Sequence, residues 1–325
     1  MFRPRPPIGA ARLPLLAAAL AVALTAACGG SEPTSSAPSP SASAGAGSFP
    51  VTIKAANGPV TLDSRPAKIV SLSPTATEML YAVGAGEQVS AVDDQSNHPA
   101  TAPKTTLSGF KPNVEAIAAE EPDLVVASDD TNGLVAGLGK LKVPVLLTPA
   151  AKGLDDSYTQ IEQVGAATGH VAEAAAVVAR MRKDIADLTA ESARRPGLTY
   201  YHELDPKLYS ATSRTFIGSV YSLLGLTNIA DKAQAGAGDY PQLSAEYVLS
   251  ADPDLIFLAD TRCCQQSAET VAKRPGWSKV TAVRTGNVVN LDDDIASRWG
   301  PRVVDFLRTV SERVSKVSPA ASPSR

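Results

Sequence analysis

The chain has 325 residues, 44% of them hydrophobic and 19% charged, and a formal net charge of −3. That is apolar material for one or two sizeable cores, with two the natural count. The balance becomes more negative once the leader holding Arg3, Arg5 and Arg12 is set aside, so the composition excludes a nucleic-acid binder.

Residues 1–27 read as an export signal, with arginines followed by an apolar run from Leu15 to Ala27. The run falls short of the roughly 20 residues that cross a bilayer, so it is a signal core rather than a span. Leu24-Thr25-Ala26-Ala27-Cys28-Gly29 resembles a bacterial lipobox, although Thr25 stands where a large aliphatic is usual. Cys28 is the expected lipidation site. After Cys28, residues 29–48 are Ser, Ala, Pro and Gly apart from Thr34, with Glu32 as the one charge, and 28–48 read as one segment. They form no core and act as a flexible tether reaching roughly 25 Å on average.

An N-terminal α/β lobe is expected over 49–167. Val51 to Ile53 and Val60 to Leu62 pair as a hairpin around Asn57-Gly58. Lys68 to Leu72 is a buried strand, and Ser73-Pro74 opens a helix to Val83, with Thr75 to Glu78 as a capping box. Strands at 89–92, 124–127 and 143–147 then alternate with helices at 113–119, 134–141 and 157–167, the pattern of a parallel sheet.

From Thr168 to Arg195 an apolar stripe of Val171, Ala174, Val178, Met181, Ile185 and Leu188 marks one long helix, stopped by Arg195-Pro196-Gly197. A second lobe is expected over 196–317. Its strands are 198–201, 255–258 and 288–291. Its helices are 216–224, 244–249, a broken one at 271–277, and 303–317. Residues 318–325 read as a frayed tail.

The two lobes look like copies. Glu115 to Val126 and Glu246 to Phe257 share a leading glutamate, a β-branched residue two positions on, and Pro122-Asp123-Leu124 against Pro253-Asp254-Leu255. Arg65-Pro66 and Arg195-Pro196 open the two units at nearly the same offset. The expected fold is therefore α/β, two Rossmann-like lobes with parallel sheets joined by a single long rigid α-helix.

Ligands of such sheets sit outside the carboxyl ends of the strands, which selects the loops after Leu72, Val92, Ala127, Tyr201, Leu258 and Leu291. Those loops carry Asp93, Asp94, Asp129, Asp130, Glu203, Asp205, Asp260, Asp292, Asp293 and Asp294, read as turn formers and solvated rim. His98, His170 and His202 lack metal-ligand spacing, and no nucleophile elbow, phosphate loop or dinucleotide fingerprint occurs. No metal site, catalytic residue or resident cofactor is expected. Cys263-Cys264 is an adjacent pair just past a strand end. Their Cα atoms are about 3.8 Å apart, so a bond between them would be strained, and such a disulfide is favoured over two free thiols. The loop aromatics Phe110, Tyr201, Tyr209, Tyr240 and Trp299 supply faces for a large flat or apolar ligand.

Lys68 to Leu80, then Asn113 to Ile117 with Pro122 to Val126, Arg274 to Trp277 and Asn287 to Leu291, resembles the substrate-binding proteins of ABC importers for cobalamin and ferric siderophores. The resemblance implies two lobes bridged by one rigid helix, no enzyme activity, and an ABC permease and its ATPase as partners. It also implies a metal chelate as ligand and permease docking through Glu115 and Glu246. Carried over to the pocket, it points to Gln95, Phe110, Lys111 and Tyr240. Tyr209 and Trp299 join them as aromatic faces, and Arg214, Arg262 and Arg298 as partners for an anionic chelate. Gln95 departs from the aromatic of cobalamin carriers, and acids outnumber the arginines, which favours a hydroxamate siderophore. A corrinoid or haem carrier is the alternative, and an exported metal-dependent hydrolase the alternative of another class. The expected protein is a monomer, lipid-anchored to the outer face of the cell membrane.

Overall fold

The computed structural model describes residues 47–192, 197–233 and 238–317. Cys28, the leader, the tether before residue 47, the last three residues expected of the long helix (193–195) and the tail from 318 lie outside them. The first feature is the antiparallel hairpin of β1 (Val51–Ala55) and β2 (Gly58–Leu62). Its turn residue Asn57 donates to the Val145 carbonyl (2.9 Å) and accepts from the Leu147 amide (3.2 Å), tying the hairpin to the edge of the first large sheet.

The N-terminal lobe runs β3 (Ile69–Leu72), α1 (Pro74–Ala82), β4 (Val89–Val92), α2 (Val114–Ala118), β5 (Leu124–Ala127), α3 (Leu134–Lys140), β6 (Val145–Leu147) and α4 (Leu154–Thr168). The helix α5 (Val171–Ser192) follows. The C-terminal lobe runs β7 (Thr199–Glu203), α6 (Phe216–Ser222), β8 (Thr227–Asn228), α7 (Ala245–Ala251), β9 (Leu255–Leu258), α8 (Ala268–Ala272), α9 (Thr281–Arg284), β10 (Val288–Asn290), α10 (Asp293–Ser297) and α11 (Val303–Lys316). Each lobe has a four-stranded parallel sheet, ordered β4-β3-β5-β6 and β8-β7-β9-β10. Numbered within its own lobe, each order is second, first, third, fourth, so the repeat in the sequence is a repeat of topology.

Alternate strand residues go to opposite faces, and this divides the core. Ile69, Leu124 and Val126 of the first sheet and Tyr200, Leu255 and Phe257 of the second belong to one continuous cluster with Ala174, Val178, Met181 and Ile185 of α5. Val70, Val125 and Ala127 face a separate cluster with Ile117, and Tyr201, Ile256 and Leu258 another with Val248 and Trp277. The lobes thus share one core on the α5 side and have private cores on the other.

The long helix begins at Val171 rather than Thr168. Gly169 takes a left-handed conformation (φ 78°) that ends α4, its amide bonded to the Gly165 carbonyl, and the chain turns before α5 starts. Val171, expected in the buried stripe, is 46% exposed, whereas Val177 is buried beside Ala174. At about 1.5 Å per residue α5 is roughly 33 Å long. Three further differences are local. The helix α1 is capped by Ser73, which accepts from the Ala76 amide, and Glu78 is buried instead of closing a capping box. The strand β8 has two residues, too few for a periodic signal. Asp292, read as loop, is the N-cap of α10.

Candidate ligand cleft

At the tip of the first sheet, buried Asp93 accepts from Ser96 Oγ (2.5 Å), which in turn contacts Thr77 Oγ1 (2.8 Å). Burial pushes the Asp93 carboxyl above its usual range, and the Ser96 hydroxyl opposes the shift. This polar chain holds the loop after β4 against the start of α1. Farther along, Gly109 lies directly on the end of β3, where a Cβ would sit 2.4 Å from the Leu72 carbonyl oxygen. Only glycine allows that approach, and the next residue, Phe110, leaves the sheet end 75% exposed. Gln95 and Lys111 are also exposed.

At the tip of the second sheet, residues 208–212 and 239–243 run antiparallel, with Ser210 donating to the Pro241 carbonyl (2.9 Å) and Thr212 to that of Asp239 (2.9 Å). Ser210 and Pro241 face inward. By the two-residue period Tyr209 and Tyr240 share the outer face, 38% and 53% exposed.

The arginines expected to meet an anion are occupied by acids. Arg214 Nε pairs with Asp239 (2.8 Å), and Arg262 with Asp294 and Asp292. Arg298 is a correction to the ligand-binding set. It is buried, bonded to Glu78 (2.7 Å), Asn97 Oδ1 (3.0 Å), the Gln95 carbonyl (3.3 Å) and Asp294 (2.8 Å). Trp299 is likewise turned inward, its indole donating to Gln160 (2.8 Å) while its carbonyl accepts from Ser157. Arg302 adds two bonds to the same Glu78. Glu78 sits on α1 of the first lobe, only 2% exposed as a side chain, and its partners lie on the stretch before α11, so the pair spans the lobes. Asn97 completes the junction by donating to Asp294 (2.8 Å). The tip loop after β4 therefore meets the segment after β10, and the two sheets bring these tips together.

Beneath the second tip lies a buried acid pair that sequence reasoning took as rim. Arg274 forms a two-pronged bond to Glu203 (2.6 and 2.5 Å) and reaches Gln266 (2.7 Å). Asp260 is fully buried, no donor among the described residues reaches either of its oxygens, and Glu203 is its neighbour. Burial, then the Glu203 charge, pushes the Asp260 carboxyl up to about 7. The signal in the sequence was the pair of acids at the ends of two buried strands, with an arginine in the Arg274-Pro275 turn.

His202 is also buried. Its Nδ1 contacts the Tyr221 hydroxyl (2.8 Å), and desolvation lowers its pKa to about 3. It does not meet exposed His98. Cys263 and Cys264 are free thiols, correcting the expected strained disulfide. Glu115 and Glu246 are exposed in the first turns of α2 and α7, which are capped by Asn113 (2.8 Å to the Ala116 amide) and Ser244 (3.1 Å to the Tyr247 amide). Both helices pack on the face opposite α5.

The two lobes thus have one topology, joined tips and a shared core along α5. A family model described as periplasmic binding protein matches residues 69–295. The chain belongs to this family. This periplasmic binding protein is 34% identical over 302 residues to a cobalamin-binding protein of Halobacterium salinarum, covering 90% of this chain and 81% of that one. It is 30% identical over 277 residues to an uncharacterized ABC transporter substrate-binding lipoprotein of Bacillus subtilis, with 82% and 86% covered. Among solved structures it is similar to the periplasmic vitamin B12 binding protein of Vibrio cholerae, with TM-score 0.66, 26% identity, and 77% and 97% covered. It is a binding protein and not an enzyme.

Proposed function

We propose that this protein is the lipid-anchored, extracytoplasmic binding component of an ABC importer, taking a metal chelate of low net charge into the cleft between its lobes. The observation that carries this is the pairing of exposed aromatic faces at both sheet tips, Phe110 on one and Tyr209 and Tyr240 on the other, with arginines already neutralised by carboxylates. Aromatic faces bind flat apolar rings. A strongly anionic chelate would meet mostly compensated charge, with Lys111 the uncommitted cation of the proposed set. Neutral and cationic chelates suit the site, which covers both cobalamin and the hydroxamate siderophores expected from the sequence. The aromatic surface and the 34% identical cobalamin-binding relative favour the corrinoid. Glu115 and Glu246 are the permease contacts in this reading, and their exposure on equivalent helices supports it.

Titration calorimetry of the purified protein with cyanocobalamin, a ferric hydroxamate, a ferric catecholate and haemin tests the ligand class. The expected result is micromolar or tighter binding of cyanocobalamin, weakened about tenfold by Tyr240→Ala or Phe110→Ala. Tight binding of the catecholate with no corrinoid binding would overturn the reading. Replacing Glu115 and Glu246 together by alanine is expected to abolish uptake by cells while leaving that affinity unchanged.

A further inference from the structure

At the rim of the second tip, the ladder that carries the tyrosine faces also sets Arg214 beside Asp239. Thr212 donates its amide to the Asp239 carbonyl (2.9 Å), which fixes the end of the ladder. Arg214 then reaches back to the Asp239 carboxylate through Nε (2.8 Å) and to the Gly238 carbonyl through Nη2 (3.2 Å). Both side chains are more than half exposed, at 64% and 53%, so solvent weakens the pair and leaves either charge open to a third group. Asp239 directly precedes Tyr240. Burial, then the Asp239 charge, raises the Tyr240 hydroxyl above its usual value, so this carboxylate acts on the face that a chelate would cover. Arg262 is held in a similar way on another loop, but its partner Asp294 also binds Asn97 and Arg298 and belongs to the junction of the lobes. Asp239 has no such second duty, since among the described residues its ion-pair partner is Arg214 alone.

We propose that Asp239 is a specificity-determining residue of the cleft, a fixed negative charge that occupies Arg214 and turns anionic chelates away from the Tyr240 face. This rests on the reading of the cleft given above and deepens it, because the preference for low charge is assigned to one carboxylate. The two halves of the ion pair then act with opposite sign. Removing the carboxylate leaves an uncompensated guanidinium beside Tyr240, which attracts an anion. Removing the guanidinium leaves Asp239 uncompensated, and an anion is repelled further. A pair that only braced the ladder would behave differently, because losing either half would loosen Tyr240 and weaken neutral and anionic ligands alike. Charge at a rim chooses among ligands more than it tightens any one of them.

The test compares ligands matched in shape and different in charge. One pair is a neutral ferric trihydroxamate and a trianionic ferric tricatecholate. The other is cyanocobalamin and the monocarboxylic acid made by hydrolysing one of its peripheral amides. Titration calorimetry on the full chain gives the ratio of anionic to neutral affinity within a pair for the wild type, Asp239→Asn, Arg214→Met and Asp239→Glu. Expected is a shift of about three- to tenfold towards the anion in Asp239→Asn and a similar shift away from it in Arg214→Met. Asp239→Glu keeps the charge and should keep the wild-type ratio, and added salt should shrink both shifts. Any other pattern of signs in the first two variants overturns the proposal, while binding of a neutral member by the wild type leaves the cleft reading standing. A wild type that binds neither neutral member fails the ligand class, and the signs are then read on the anionic members alone. Binding of none of the four by any of the proteins overturns both.

Discussion

Asp260 shows how one residue changes meaning once its surroundings are known. As a loop acid it should be ionised and solvated, but on the end of a buried strand beside Glu203 its carboxyl titrates near 7 rather than 3.8. Below the ordinary value both folded and unfolded chains hold the proton, and its stabilising contribution is fully present. As pH rises towards 7 the unfolded chain releases the proton while the folded one retains it, so stability falls, and it levels off above the folded value. In Asp260→Asn this decline should be missing. Melting temperatures from pH 4 to 8 check the sign, because the wild type should lose ground to the variant as pH rises. Arg298 makes the same point with the opposite charge. Its place in the chain suggested a ligand contact, but four acceptors surround it in the fold.

The elements themselves were largely legible. Every strand of four or more residues was expected within two residues of its place, because each is a β-branched, aromatic or apolar stretch bounded by turn chemistry. Three short pieces were not, since β8, α9 and α10 have two to five residues and owe their form to neighbours. The crossing of α4 and α5 is decided at Gly165, where a Cβ would lie 2.3 Å from that of Ala174 and 2.9 Å from the His170 carbonyl. Gly165→Ala should therefore force the helices apart despite its better helix propensity, costing about 1–3 kcal/mol. Urea denaturation measures this, and an unchanged midpoint would mean the helices can separate freely.

At the scale of the whole molecule the question is how far the lobes can move. One core runs through both by way of α5, and Glu78 fastens α1 to Arg298 and Arg302 near the other end of the chain. Glu78→Gln leaves buried Arg298 with Asp294 as its remaining carboxylate and takes the bonded carboxylate from half-buried Arg302, and breaking a buried ion pair by removing one partner costs up to about 3–5 kcal/mol. Thermal unfolding should show the loss, and small-angle scattering a broader distribution of lobe separations than in the wild type. An unaltered distribution would assign the rigidity to α5 alone.

Periodicity, turn residues and the internal repeat were sufficient to determine two α/β halves and a long connecting helix, because those depend on contacts between residues close in the chain. The exposed aromatics and the paired glutamates were also nominated there, the aromatics from their loops and both sets from the resemblance to a known family, with the glutamates leading the internal repeat. Tertiary structure alone decided which charges are spent. The partners of Glu78 lie 220 and 224 positions away, and those of Glu203 and Asp260 come from other strand ends and a distant turn. Electrostatic pairing depends on distance through space, and a linear chain does not display that distance until it has folded.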